Sequence, residues 1–212
     1  MATACFDSTC VSCERLAQHL ADLRASNSSY HNRPVPAFGD PKARLLIVGL
    51  APGTYGANAS GRPFTGDFAG ILLYKCLFEA ELSSAPESVH SNDGLRLLGC
   101  RITNAVKCLP PKNKPTTKEI VNCNTYLTEE LTSVPKGGVV LGLGFIAHQA
   151  VLRAYSLKLS SFHFGHGEIF ELPGRRWLLS SYHCSRYNTQ TKRLTEEMFK
   201  KVLIRAKNLA FA

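Results

Sequence analysis

The sequence predicts a three-layer α/β fold, in which helices flank a central, mainly parallel four-stranded sheet. Two observations carry this reading. Four short apolar runs are bounded by glycine, proline or polar residues, as strands buried on both faces are. The segments between them have helical periodicity, and strands that alternate with helices pair in parallel through right-handed crossovers.

In chain order, a helix is expected around residues 14–23, followed by a Ser-, Asn- and Pro-rich connector at 25–41 that passes from ordered to loose. RLLIVGL (44–50) is the first strand, and 70–82 follows as a helix with apolar residues at 72, 73, 77 and 78. LLGCRITNAV (97–106) is the second strand, with a helix over 118–131. GVVLGLG (138–144) and a helix over 146–154 come next, then the strand RWLLSSYH (176–183) and a closing helix over 194–209. No repeat or low-complexity tract interrupts the pattern.

The 212 residues, 44% hydrophobic and 19% charged, suffice for one substantial core, so a single domain over 1–212 is expected. No apolar run approaches the roughly 20 residues of a membrane span, and the opening MATACFDSTC has no signal-peptide pattern. These features predict a soluble cytoplasmic protein. The net charge of +9 suits a polyanionic partner, although charge alone is weak evidence of one. Eight cysteines without a secretory signal point away from disulfides and toward metal ligation. Cys10 and Cys13 have CxxC spacing, and Cys5, Cys10 and Cys13 together match the C-x4-C-x2-C spacing of plant-type ferredoxins. Cys76 and Cys100 fall in apolar patterns and read as core thiols.

Ligands of open parallel sheets bind beyond the carboxyl ends of the strands. Three unusual segments follow those ends: GLAPGTYGANASGRPFTGD (49–67), TNAVKCLPP (103–111) and YHCSRYN (182–188). The first has five glycines in nineteen residues and no nucleotide P-loop pattern, which suits close approach of backbone N–H groups to a ligand. Phe64 is placed either to stack on a planar base or to fill the core. Asn104 carries a carboxamide that can meet a pyrimidine edge, or else cap a turn. His183 is either a structural histidine or a hydrogen-bond donor at the shared edge. Behind it, Ser185 and Arg186 suit a phosphate and Tyr187 offers a ring to the DNA stack.

Together GLAPG…NASGRPFTGD, ITNAVKCLPPKNKPT and SYHCSRYNTQTKRLT resemble the motifs of the uracil-DNA glycosylase superfamily, most closely its iron–sulfur family 5. The resemblance runs from Cys10 to about Thr195. It implies a monofunctional glycosylase that flips uracil, hypoxanthine or 5-hydroxymethyluracil out of double-stranded DNA in base excision repair, acting as a monomer at the nucleoid. It further implies a [4Fe–4S] cluster on Cys10, Cys13, Cys108 and Cys123, with residues 1–43 forming the cluster-binding helix and connector. By the same resemblance Phe64 stacks on the base, Asn104 reads its edge, His183 donates to uracil O2, Asp67 stands near the sugar, and Tyr187 is the wedge. The chain has HCSRYN where relatives commonly have HPSPxN, which predicts a looser wedge loop. Leu50 and Ala51 stand where other branches carry a water-activating side chain. Gly53 stands where the narrow-specificity branch has a bulky aromatic, so the pocket wall is expected to be open unless Tyr55 closes it. No lysine in the motifs is an obvious Schiff-base nucleophile. Two alternatives are an iron–sulfur redox or sensing protein with incidental DNA affinity, and a nucleic-acid-binding module built on zinc.

Overall fold

A computed structural model describes residues 6–212. Cys5, the spare ligand candidate, lies outside them. The seven strands and helices that frame the site are α1 (Glu14–Ser26), β2 (Leu45–Gly49), α3 (Phe68–Glu79), β3 (Cys100–Asn104), α4 (Thr117–Ser133), β4 (Val139–Leu143) and β6 (Arg176–Ser181). The other elements are β1 (Phe38–Gly39), α2 (Ala57–Ser60), α5 (Phe145–Ala154), β5 (Ile169–Leu172), α6 (Arg186–Gln190) and α7 (Glu196–Phe211).

The sheet has six strands in the order β1-β3-β2-β4-β6-β5, where the sequence led us to expect four. The four expected strands are its parallel centre, and β1 and β5 are antiparallel edges. Both edges lack the signal that revealed the centre: β1 is two half-buried residues, and β5 carries the exposed Glu171 and no continuous buried run. Short, partly polar edges of this kind also discourage pairing with other chains.

Side chains of a strand point to alternate faces. In β2, Leu45 and Ile47 enter a core with α3 and α7, whereas Leu46 and Val48 enter a second core with α1, α4 and α5. Every residue of β2 and β4 is buried, because helices cover both faces. Three layers result. The connections from β2 and β3 carry the chain to opposite sides of β2, which puts the topological switch point at its carboxyl end.

The helix ends are chemically specified. Thr116 and Glu119 form a capping box at α4, with Thr116 N–H donating to Glu119 Oε2 at 2.7 Å. Arg15 grips the same carboxylate in two bonds of 2.7 Å and so ties α1 to the start of α4. The 25–41 connector is pinned rather than loose. Asn32 is fully buried; its amide donates to the Leu23 and Asn27 carbonyls, and its oxygen accepts from Asn58 at 2.7 Å.

Candidate active site

The three polar segments meet at the carboxyl edge of the sheet around a cavity of about 350 Å³. Gly53, Phe64, Asp67, Asn104, His183 and Ser185, widely separated in sequence, all line it.

Phe64 is held there by a strained turn. Its φ is +55°, a region that side chains other than glycine rarely adopt, yet the residue is buried. Arg62 stabilises the turn from behind. Its buried guanidinium donates to Thr65 Oγ1 at 2.9 Å, Ser88 Oγ at 2.6 Å and both oxygens of Asp93 at 2.9 and 2.5 Å, while the Tyr74 hydroxyl donates to the Pro63 carbonyl at 2.9 Å. The Phe64 ring then lies nearly parallel to the His183 ring, with centroids 5.9 Å apart and 27° between planes.

Asn104 ends β3 directly opposite Gly49. A Cβ at Gly49 would lie 2.6 Å from Phe64 Cζ and would also collide with Asn104 Oδ1, so glycine is what lets both side chains enter the cavity. The Asn104 carboxamide has no hydrogen-bond partner among the described residues, and although the residue is only 4% exposed it lines the cavity, where a ligand can engage it.

Asp67 caps α3, with Oδ1 accepting from Gly70 N–H at 2.7 Å. Oδ2 faces the 53–56 loop. Burial raises the Asp67 pKa, partly offset by backbone N–H bonds from Gly70 and Ala69. Burial lowers the His183 pKa to about 4, so its imidazole is neutral near pH 7. Its ring makes no hydrogen bond to the described residues. A neutral ring with one N–H is a donor whose tautomer the ligand can select.

The segment after His183 is not the loose loop that its missing prolines predict. Ser185 Oγ caps α6, accepting from Asn188 N–H at 3.4 Å, and the Asn188 side chain donates to the His183 carbonyl at 2.8 Å. These side-chain bonds replace the restraint of proline. Arg186 lies over the Phe68 ring at 5.0 Å, and Tyr187, 71% exposed, projects from the first turn.

Sequence reasoning left three contributors unassigned. Gly49 and Arg62 act through packing that only the fold reveals. Asn113, which also lines the cavity, sits at φ +56° inside the Pro-flanked KNKP segment. Tyr55 does not close the wall at Gly53: it is 80% exposed and stands outside the cavity lining. Lys107 belongs to the second motif but points away, fully buried against Thr103 Oγ1 and paired with Glu130 at 2.8 Å.

On the other face of β3, Cys10, Cys13, Cys108 and Cys123 line one small cavity. Cys13 is the N-cap of α1, and Cys123 lies in α4. Lys107 N–H donates to Cys123 Sγ at 3.2 Å, and the Asn122 amide faces Cys13 Sγ at 3.7 Å. Burial, together with the other three cysteines, pushes the Cys108 thiol up to about 12. Among the described residues no three His, Cys, Asp or Glu side chains are drawn together as the ligands of a single metal ion would be. Cys76 and Cys100 are fully buried in the α3 side of the core.

A family model for the uracil-DNA glycosylase superfamily matches residues 36–207. The chain belongs to that superfamily. Within it, the chain is 54% identical over 181 residues to a type-5 uracil-DNA glycosylase of Thermus thermophilus, covering 85% of this chain and 82% of the relative. It is 43% identical over 201 residues to the type-5 enzyme of Pyrobaculum aerophilum, covering 93% and 87%. Identity falls to 31% over 189 residues with a type-4 enzyme of Archaeoglobus fulgidus, covering 85% and 84%. The chain is thus a superfamily member on the type-5 side. No helix among the described residues is long and apolar enough to cross a membrane.

Proposed function

We propose that this chain is a monofunctional uracil-DNA glycosylase, which flips uracil out of double-stranded DNA and hydrolyses its N-glycosidic bond. The observation that carries the reading is the single cavity in which Phe64, Asn104, Asp67 and His183 converge. Phe64 offers a fixed face to a planar base. The unpartnered Asn104 amide offers one donor and one acceptor, the complement of uracil O4 and N3–H.

Cleavage of the C1′–N1 bond leaves negative charge on the base, largely at O2, and positive charge on the sugar. Neutral His183 donates to O2, and a donor aimed at developing charge contributes roughly 3–4 kcal/mol. Asp67 Oδ2 stabilises the sugar cation while water attacks C1′. No carboxylate or amide stands at Leu50 or Ala51 to activate that water, so the rate depends on leaving-group stabilisation. No lysine lines the cavity, which supports hydrolysis without a Schiff base.

Flipping costs a few kcal/mol, least at mispaired or damaged bases. Exposed Tyr187 fills the gap in the stack, and Ser185 and Arg186 hold the backbone beside it. Gly53 leaves the wall open, which admits 5-hydroxymethyluracil and hypoxanthine as well as uracil.

Cys10, Cys13, Cys108 and Cys123 would hold a [4Fe–4S] cluster. The convergence of four cysteines around one cavity supports this, as do N–H groups directed at two of the sulfurs. When bound, the cluster supplies a cross-link between α1 and α4 and takes no part in base release. Iron and inorganic sulfide in the purified protein would support this assignment; zinc alone would refute it.

Incubation with duplexes carrying uracil opposite guanine, followed by alkaline strand cleavage, tests the activity. Strand breaks at uracil that persist after the iron is oxidised or reduced support the glycosylase. Failure to release base would leave the redox-protein alternative.

A further inference from the structure

Beside the base cavity lies a second one of nearly equal size, about 360 Å³. Leu50 and His183 line both, so these two side chains form a shared wall. Nothing in the base-release chemistry uses the second chamber.

Its lining is mainly apolar, with an aromatic platform and one cation. Phe145, the first residue of α5, is 54% exposed and meets Phe164 edge-on, with centroids 5.8 Å apart at 74°. An exposed aromatic ring of this kind is what nucleobases stack on in single-strand binding proteins. Arg193 also lines the chamber, lies over the Tyr182 ring at 4.7 Å, and makes no ion pair among the described residues. Its charge is therefore free for an anionic ligand.

We propose that this chamber is a second nucleobase subsite, which takes the base adjoining the target nucleotide when the strand is unpaired. The proposal rests on the reading that the first cavity takes uracil. The shared wall is the main argument: because the two cavities adjoin through Leu50 and His183, a strand that places one base against Phe64 can set its neighbour in the second chamber. Phe145 then offers that neighbour a stacking face, and Arg193 complements the phosphodiester that follows it. In a duplex the neighbouring base stays in the helical stack, since extruding it would require a second unstacking. The subsite therefore adds binding to single strands and not to duplexes.

The test uses single-stranded oligonucleotides with one 2′-fluoro-2′-deoxyuridine, whose fluorine slows cleavage so that affinity can be measured. The target is flanked by thymine on both sides, or by an abasic tetrahydrofuran on its 5′ or its 3′ side. One of the two abasic flanks should weaken binding roughly tenfold or more, the usual effect of losing a stacked base. Phe145→Ala should abolish that difference, and Phe145→Trp should restore it. The same flanks in duplex form should bind alike. Equal affinity of the wild-type protein for all three single strands would overturn the proposal, as would a flank effect that survives Phe145→Ala. Uracil release from the unfluorinated oligonucleotides is measured alongside. Its absence from both the single strands and the duplexes would refute the glycosylase reading itself, whereas release with no flank effect would refute the second subsite alone.

Discussion

Gly49 faces Asn104 across the parallel pair of β2 and β3, and the space that a Cβ on Gly49 would need is already filled by the Asn104 amide and the Phe64 ring. The last residue of β2 thus sets where both side chains proposed to contact the base stand. Gly49→Ala should displace them while leaving the sheet paired. We expect a fall of roughly 10²-fold in single-turnover rate, as misplacement by about an ångström produces, and a destabilisation of about 1–3 kcal/mol from overpacking. Rapid-quench kinetics and denaturant unfolding check the two effects separately.

Asp67 does two jobs with two oxygens, since Oδ1 caps α3 and Oδ2 faces the 53–56 loop. Asparagine caps a helix about as well as aspartate. Asp67→Asn should therefore retain stability and DNA affinity while losing most of the rate, whereas Asp67→Ala should also lose about 1 kcal/mol of stability. If Asp67→Asn kept the full rate, the residue would be a cap and nothing more.

The proposed cluster predicts that Cys123→Ala yields protein with substoichiometric iron and a lower melting temperature, because α1 would lose the cross-link that the cluster supplies to α4. The Arg15–Glu119 pair remains to hold the two helices, so the fold should survive at lower stability. On the same proposal Cys5→Ala should bind as much iron as the wild type. Loss of iron from Cys5→Ala with retention in Cys123→Ala would replace the ligand set.

A Cβ at Gly53 would meet only Asp67 Oδ2, at the ordinary contact distance of 3.6 Å, so a Cβ is accommodated there without moving the backbone. Gly53→Tyr should keep uracil release and abolish release of 5-hydroxymethyluracil. A substrate profile that does not change would show that this wall does not set the range.

The centre of the fold was legible because burial on both faces writes itself as continuous apolar runs, as in LLIVG and VVLGL. The edges were not, since β1 and β5 are short and half-exposed. Phe64, Asn104 and His183 could be singled out because each stands just beyond a strand or loop whose end was recognisable. Arg62 could not: its role depends on Ser88 and Asp93, which approach it only through the loop between α3 and β3. The wedge segment misled in a different way. The absence of both prolines was expected to loosen it, but the side-chain bonds of Ser185 and Asn188 restrain it instead.

The most direct test of the central claim is single-turnover release of uracil from a U·G duplex, followed from pH 4 to pH 8, by the wild-type protein, by Asp67→Asn and by His183→Ala. His183 has a folded-state value of about 4 against an ordinary 6.5, so its neutral, donating form prevails down to the lower value. Its depressed pKa also means that its contribution to stability is complete above 6.5 and is lost as the pH falls toward 4. Protonation of His183 should cost rate only as the pH approaches 4, whereas protonation of Asp67, whose pKa burial raises, gives an acid limb that Asp67→Asn lacks. His183→Ala should be slower by about 10²–10³-fold at every pH, with nearly unchanged DNA affinity. A limb centred near 6.5 that persists in Asp67→Asn and disappears in His183→Ala, or a His183→Ala variant as fast as the wild type, would contradict the assignment of a neutral imidazole donor at uracil O2.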